Sequence, residues 1–199
     1  MRFEGIERAI LQHGDVRILG TGTRLVRHVP TVAPEAFLFT LYPGLTVDDV
    51  AQVEAQLKRK LPSAYAALLR ASNGLSIFVG TLVVFGARAT YARTGDAARQ
   101  PVDLIDPNTM DRPRIPKDAV IIGGYREDGS LLYMRAGQDD VLWTTERGGS
   151  VRRTWPSLEA FLLEEISRLT KLIGENYASL RYDSDVNTLP EVRESQRMR

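Results

Sequence analysis

Leu57-Lys58-Arg59-Lys60-Leu61-Pro62-Ser63-Ala64-Tyr65-Ala66-Ala67-Leu68-Leu69-Arg70-Ala71-Ser72-Asn73-Gly74 is the stretch on which the reading of this chain turns. Proline suits the first turn of a helix, where its missing N–H would have had no partner. Asn or Gly just past a helix accepts the left-handed conformation that caps it. The stretch therefore reads as the end of one helix, a joint at Leu61-Pro62, a second helix starting at the proline and a stop at Asn73-Gly74. Upstream, Thr46 is placed to cap the first helix, Asp49 stands where a capping-box acid belongs, and Leu45 can staple against Val50. Two short helices with a fixed elbow are expected.

Working outward, a third helix is marked near the C-terminus. Ser157 is placed to cap it, and Leu158, Phe161, Leu162, Ile166, Leu169, Leu172 and Ile173 recur at three and four residues. Such a stripe packs on a sheet more readily than it offers a groove to a partner helix. Strands are expected near residues 77–79, 81–85, 119–122, 131–134, 141–145 and 151–154. Gly80, Asp128-Gly129, Gly137 and Gly148-Gly149 supply the turns of an antiparallel meander. Before the helical pair, Phe3, Ile6 and Ile10 suggest a short opening helix, followed by strands near 16–19 and 25–29. Phe37-Leu38-Phe39-Thr40-Leu41-Tyr42 is the most aromatic strand-like run. Residues 88–117 turn polar, with Pro101, Pro107, Pro113 and Pro116 breaking any long element, and read as a long surface loop. Beyond Glu175 the apolar rhythm fades into a frayed tail.

The fold class is α+β: two helices joined at a Leu-Pro elbow, a twisted antiparallel sheet of about six strands, a closing helix, and an N-terminal helix and strand extension. The expected organisation is an extension at 1–44 packed on the main sheet, a principal domain at 45–174 and a charged, partly disordered tail at 175–199. With 199 residues, 26% charged and 43% hydrophobic, the chain can build one well-buried core. Its 26 basic and 25 acidic residues, net charge +1, argue against a broad nucleic-acid surface. The absence of cysteine excludes disulfides, thiol nucleophiles and thiolate metal sites. The N-terminal residues lack the apolar run of a signal peptide and no window is long enough to span a membrane, so a cytoplasmic protein is expected.

The run from Thr46 to Asn73-Gly74, with its acidic first helix, Leu-Pro, Tyr65 at the third position after the proline and terminal Asn-Gly, resembles the opening of the SUKH superfamily. Ser76 to Gly86 resembles the first hairpin of that group, Ile122-Gly123-Gly124-Tyr125-Arg126-Glu127-Asp128-Gly129-Ser130 its Gly-rich turn before a strand, and Trp155 to Ile173 its closing helix. Leu75 stands where a second glycine is often found. The resemblance covers about Leu45 to Gly174. It implies a non-catalytic protein-binding module, foremost an immunity protein that neutralises a bacterial toxin, and alternatively a regulatory scaffold like the fungal members that act on cell-wall synthesis.

Chemistry-bearing constellations are scarce, in keeping with a protein that is not an enzyme. His13 and His28 fall in the extension and read as a helix-end and a strand-surface histidine. No ligand spacing for a metal, no phosphate loop and no nucleophile elbow occurs, so neither metal nor cofactor is expected. Protein binding instead needs exposed Tyr, Trp and Arg. The candidates are Arg88, Tyr91 and Arg93 at the start of the long loop, Tyr125, Arg126, Glu127 and Asp128 around the later turn, and Asp139 and Asp140. Trp143 is as well suited to the core, where Tyr65 and Trp155 are assigned. The expected partner is a protein, a toxin domain such as a nuclease, with no direct contact to nucleic acid or membrane. Glu127, Asp128, Asp139 and Asp140 could mimic phosphates toward a basic cleft, although the near-zero net charge argues against strong mimicry. An exposed edge at 37–42 would give homodimer pairing a route.

Overall fold

The structure, a computed structural model, describes residues 3–91, 94–110, 115–144 and 150–173. The expected helix α1 (Phe3–Leu11) buries Ile6 and Ile10. Three strands follow, β1 (Val16–Ile18), β2 (Arg24–His28) and β3 (Phe37–Leu41). Helix α2 (Val47–Leu57) begins in a capping box: the Thr46 hydroxyl accepts from Asp49 N at 3.1 Å while the Asp49 carboxylate accepts from Thr46 N at 2.9 Å. Two amides that a helix start leaves unpaired are thus satisfied. Left-handed Lys58 ends α2, and Pro62 leads directly into α3 (Ser63–Ala71). Asn73 does not cap α3, since Ser72 is already extended and the left-handed residue is Gly74 at φ 83°.

The remaining strands are β4 (Leu75–Ile77), β5 (Leu82–Val84), β6 (Ala119–Tyr125), β7 (Leu131–Arg135), β8 (Val141–Thr144) and β9 (Val151–Trp155). A short α4 (Ile105–Thr109) precedes β6, and α5 (Leu158–Ile173) closes the described chain, with Ala160 N donating to the Ser157 hydroxyl at 3.1 Å. All nine described strands form one antiparallel sheet in chain order, the expected six of the principal domain and the three of the extension, which join it edgewise.

Val26, Phe39, Ile77, Leu82 and Tyr125 lie in register across one face and are all buried. That face carries the helices: the Tyr125 hydroxyl donates to Glu165 of α5 at 2.7 Å, and α1 packs on α5. Side chains alternate along a strand, so the row Leu25, Thr40, Ser76, Val83, Gly124 and Leu131 points the other way. One core runs through both parts of the chain, joining Ile6, Ile10, Val26 and Phe39 to residues of α2, α3, α5 and β4–β9.

Four expectations are corrected. Strand β4 ends at Ile77, because Phe78 and Val79 take left-handed φ values of 50° and 56° and turn the chain. Gly123-Gly124 lie inside β6 and not in a turn, since a Cβ at either would strike the carbonyl oxygen of Val83 or Ser130. The run at 37–42 is not an edge: β3 lies between β2 and β4 with all five residues buried, and β1 and β9 are the edges among the described strands.

The long loop is the fourth. Only part of it is surface. Leu104 and Ile115 are buried, and Gly86 and Asp103 form a parallel bridge. The buried Asn108 accepts from Ile121 N at 2.8 Å and donates to Ile121 O at 2.8 Å. It stands in for a neighbouring strand where β5 has ended. Asp111, Pro113, Gly148, Gly149 and the tail at 175–199 lie outside the described residues.

Candidate functional site

The outer face of the sheet is covered unevenly. Residues 94–102 cross the strands of the extension, tied at Asp96, which accepts from Gly20 N at 3.0 Å, and at Arg99, which donates to Glu35 O at 2.7 Å. Leu19, Leu25 and Phe37 form a small buried cluster at the extension. The segment then returns to Gly86, where Leu104 N and Gly86 N complete the bridge. Between it and the β6–β7 turn the sheet stays open as a groove of about 390 Å³.

Ser76, Val83, Gly124 and Leu131 make the floor of this groove, one residue from each of four adjacent strands. Tyr42, Phe85 and Val102 bound one end; Val79, Gly80, Arg126 and Gly129 bound the other. Glycine at 124 leaves bare backbone in the floor, as the approach of the Ser130 carbonyl requires. Burial raises the pKa of the Tyr42 hydroxyl, outweighing the smaller opposing pull of the Arg99 and Arg88 charges. Arg88 lies over the ring of Tyr91 at 4.4 Å, and Tyr91 is 67% exposed.

The expected site residues divide. Arg88 and Tyr91 pair at the start of the loop, and Arg126 is exposed at the opposite end of the groove. Arg93 lies outside the described residues. Tyr125 is a core residue: it is 1% exposed, packs edge-on against Trp143 and holds Glu165. Its register opposite Leu82 turns it toward α5. Asp128 is half-buried beneath Arg152, which donates to it at 2.7 Å and stacks over Trp143 at 4.9 Å. Burial opposes its ionisation, but hydrogen bonds from Ser130 and Arg152 outweigh that and hold its pKa below the usual carboxylate value. Glu127 and Asp139 are exposed, and Asp140 is half-exposed before β8. The four acids therefore do not converge as one phosphate-like surface, with Asp128 engaged by Arg152 and Asp139 and Asp140 on a different turn.

Tyr42, Ser76, Val83 and Val102 were not singled out by sequence. The one sequence signal is Val102, an apolar residue in a polar loop, which the structure leaves 47% exposed. The histidines are engaged. His28 Nε2 lies 2.7 Å from Pro34 O, and the ring stacks on Phe37. His13 sits against Phe39 and Phe78, where burial lowers its pKa. Among the described residues no three His, Asp or Glu side chains converge as a metal site, and no helix is long and apolar enough to cross a membrane.

The sequence model of the SMI1 / KNR4 family (SUKH-1) matches residues 44–164, more than half of the chain. The chain belongs to the SUKH-1 family. Among curated proteins none matches it. The SUKH-1 segment opens at Gly44, where a Cβ would run into the Arg70 carbonyl at the end of α3, and takes in α2 through the first turns of α5. It contains every groove residue except Tyr42, which the extension supplies. Membership of SUKH-1 is consistent with a protein-binding role.

Proposed function

We propose that this SUKH-1 protein is an immunity protein that binds a cognate bacterial toxin in the cytoplasm and neutralises it by covering a surface the toxin needs. The observation that carries the reading is the uncovered groove on the outer sheet face, floored by Val83, Leu131, Ser76 and bare Gly124 backbone, with exposed Arg126 at one margin and half-buried Tyr42 at the other. Tyr and Arg are the residues from which protein hot spots are built, because they bury large area while keeping a polar handle. Family membership supports the same reading. A stoichiometric inhibitor needs such a shaped surface and no reactive group.

The test is co-expression with the products of genes beside its own, scoring survival and co-purification. Rescue from one toxic neighbour together with a stable complex is expected. Absence of any toxic neighbour, with capture of housekeeping proteins instead, overturns immunity in favour of a regulatory scaffold.

A further inference from the structure

Strand β1 leaves all three of its side chains exposed, Ile18 at 68% and Val16 at 41%. Its rungs to β2 are bracketed by Asp15 O, which accepts from Arg27 N at 2.9 Å, and by Leu19 N, which donates to Thr23 O at 2.9 Å. With Val16 opposite Val26 and Ile18 opposite Arg24, the bonds of residues 15, 17 and 19 therefore face β2. Antiparallel ladders alternate, so the N–H and C=O of Val16 and of Ile18 point to the open side.

Side chains alternate as well. Val16 shares the helix face with its buried register partner Val26, while Asp15 and Arg17 project to the outer face with Leu25. Arg17 lies 3.5 Å from Glu35 and keeps 57% of its side chain exposed. Asp15 is exposed, and among the described residues its carboxylate has no partner.

A short strand with a charge in its middle usually blunts an edge against pairing. Here the charges complement themselves. Laid antiparallel on a second copy with Val16 opposite Val16, Asp15-Val16-Arg17 meets its own reverse, and each Arg17 stands opposite the partner's Asp15. The register centred on Arg17 would instead set two guanidiniums face to face. Opposite charges directly across a pair attract and like charges repel, so charge selects the register centred on Val16. In it the two Val16 residues exchange both backbone hydrogen bonds, and Ile18 lies beside the partner's Gly14, where no side chain contends for the space. The other edge, β9, carries Arg152 and Arg153 with no acid and has no such complement.

We infer that β1 is a docking edge for a second copy of this chain, paired antiparallel about a two-fold axis at Val16 with the Asp15 and Arg17 charges crossed. Three residues a side make this a transient, concentration-dependent dimer. The axis stands perpendicular to the sheet, so the outer faces of both copies look the same way and the dimer presents two grooves side by side. The inference does not rest on the immunity reading.

The test follows the full chain by sedimentation and by backbone amide NMR over a concentration series. Amides of Asp15, Val16, Arg17 and Ile18 are expected to shift as the dimer forms while those of β9 do not, and added salt should weaken association. Arg17→Asp and Asp15→Arg, each with an unchanged thermal midpoint, should each weaken it about tenfold, since each turns two crossed attractions into repulsions. Mixing the two variants should restore association, because each supplies the charges the other lacks. The double exchange of Asp15→Arg with Arg17→Asp should restore it within one chain, which keeps the test sound should either single variant fold poorly. A monomer at every concentration, shifts on β9 or another surface in place of β1, or a mixture that associates no better than its components would overturn the inference.

Discussion

Asn73 holds Ala87 by both of its backbone polar groups, donating from Nδ2 to the carbonyl and accepting from the N–H at Oδ1, each at 2.7 Å. The amide side chain thus copies a strand partner and fastens the end of α3 to the exit of β5. Tyr65 works on the same segment, its hydroxyl donating to Phe85 O at 2.8 Å. A Cβ at Gly86 would collide with Asn73 itself. The Tyr and Asn of the opening stretch therefore act together across the fold, twenty residues of chain drawn onto one short exit segment.

Replacing Asn73 with Ala should leave the half-buried Ala87 amide and carbonyl unpaired and cost about 2–3 kcal/mol of unfolding free energy, read from urea denaturation. Asn73→Asp should lose most of that too, since it keeps the acceptor but faces the Ala87 carbonyl with a charge. An Asp variant as stable as the parent would remove the two-bond account.

Glu165 is fully buried and receives Tyr125 at 2.7 Å and the Arg168 guanidinium at 2.7 Å. Glu165→Ala should strand a largely buried arginine and destabilise by about 3–5 kcal/mol, whereas Tyr125→Phe should cost less, about 1.5–3 kcal/mol, since Arg168 still holds the carboxylate. Calorimetry of the two variants checks the order; equal losses would mean that packing, not the ion pair, dominates.

Acid sensitivity should come in two stages. His13 has a folded pKa below its ordinary 6.5 because of burial, so the unfolded chain binds more protons and stability falls as pH drops below about 6.5. Asp128 has a folded pKa below its ordinary 3.8, so its contribution is present above that value and is lost as pH falls further. His13→Gln should flatten the first stage and Asp128→Asn the second in urea midpoints measured against pH.

Gly123→Ala should be severely destabilising, beyond the about 1–3 kcal/mol of ordinary overpacking, because the new methyl meets the backbone carbonyl of Val83 and the sheet cannot yield. Gly95→Ala meets nothing within 4 Å but must hold φ 66° with ψ −169°, a conformation almost confined to glycine, and should cost about 1–3 kcal/mol from the backbone alone. Thermal midpoints of the pair separate steric collision from backbone preference.

Elements whose signals are local were legible in the sequence: the Thr46 and Ser157 caps, the elbow at Pro62 and the apolar runs of β7 and β8 between turn residues. Features set by remote approach were not. Gly123-Gly124 looks like a turn until the Val83 and Ser130 carbonyls are brought beside it. Asn108 reads as a loop residue until β6 offers Ile121. Tyr125 reads as surface in the sequence because its direction depends on pairing with Leu82. β3 did carry a clue: Phe37-Leu38-Phe39-Thr40-Leu41 is apolar on both faces, as strands covered on both sides are, and edges are not. The groove draws on five strands or their ends and a loop return, a juxtaposition no window of sequence contains.

The SUKH-1 match begins after β3, so within the matched segment alone β4 would be the last strand and its free backbone groups would face outward. Here β3 occupies that flank, and two more strands carry the border out to the three residues of β1. The extension works as a selvage on the fabric: it denies lateral strand addition at β4 to any other chain and leaves the broad face as the larger invitation.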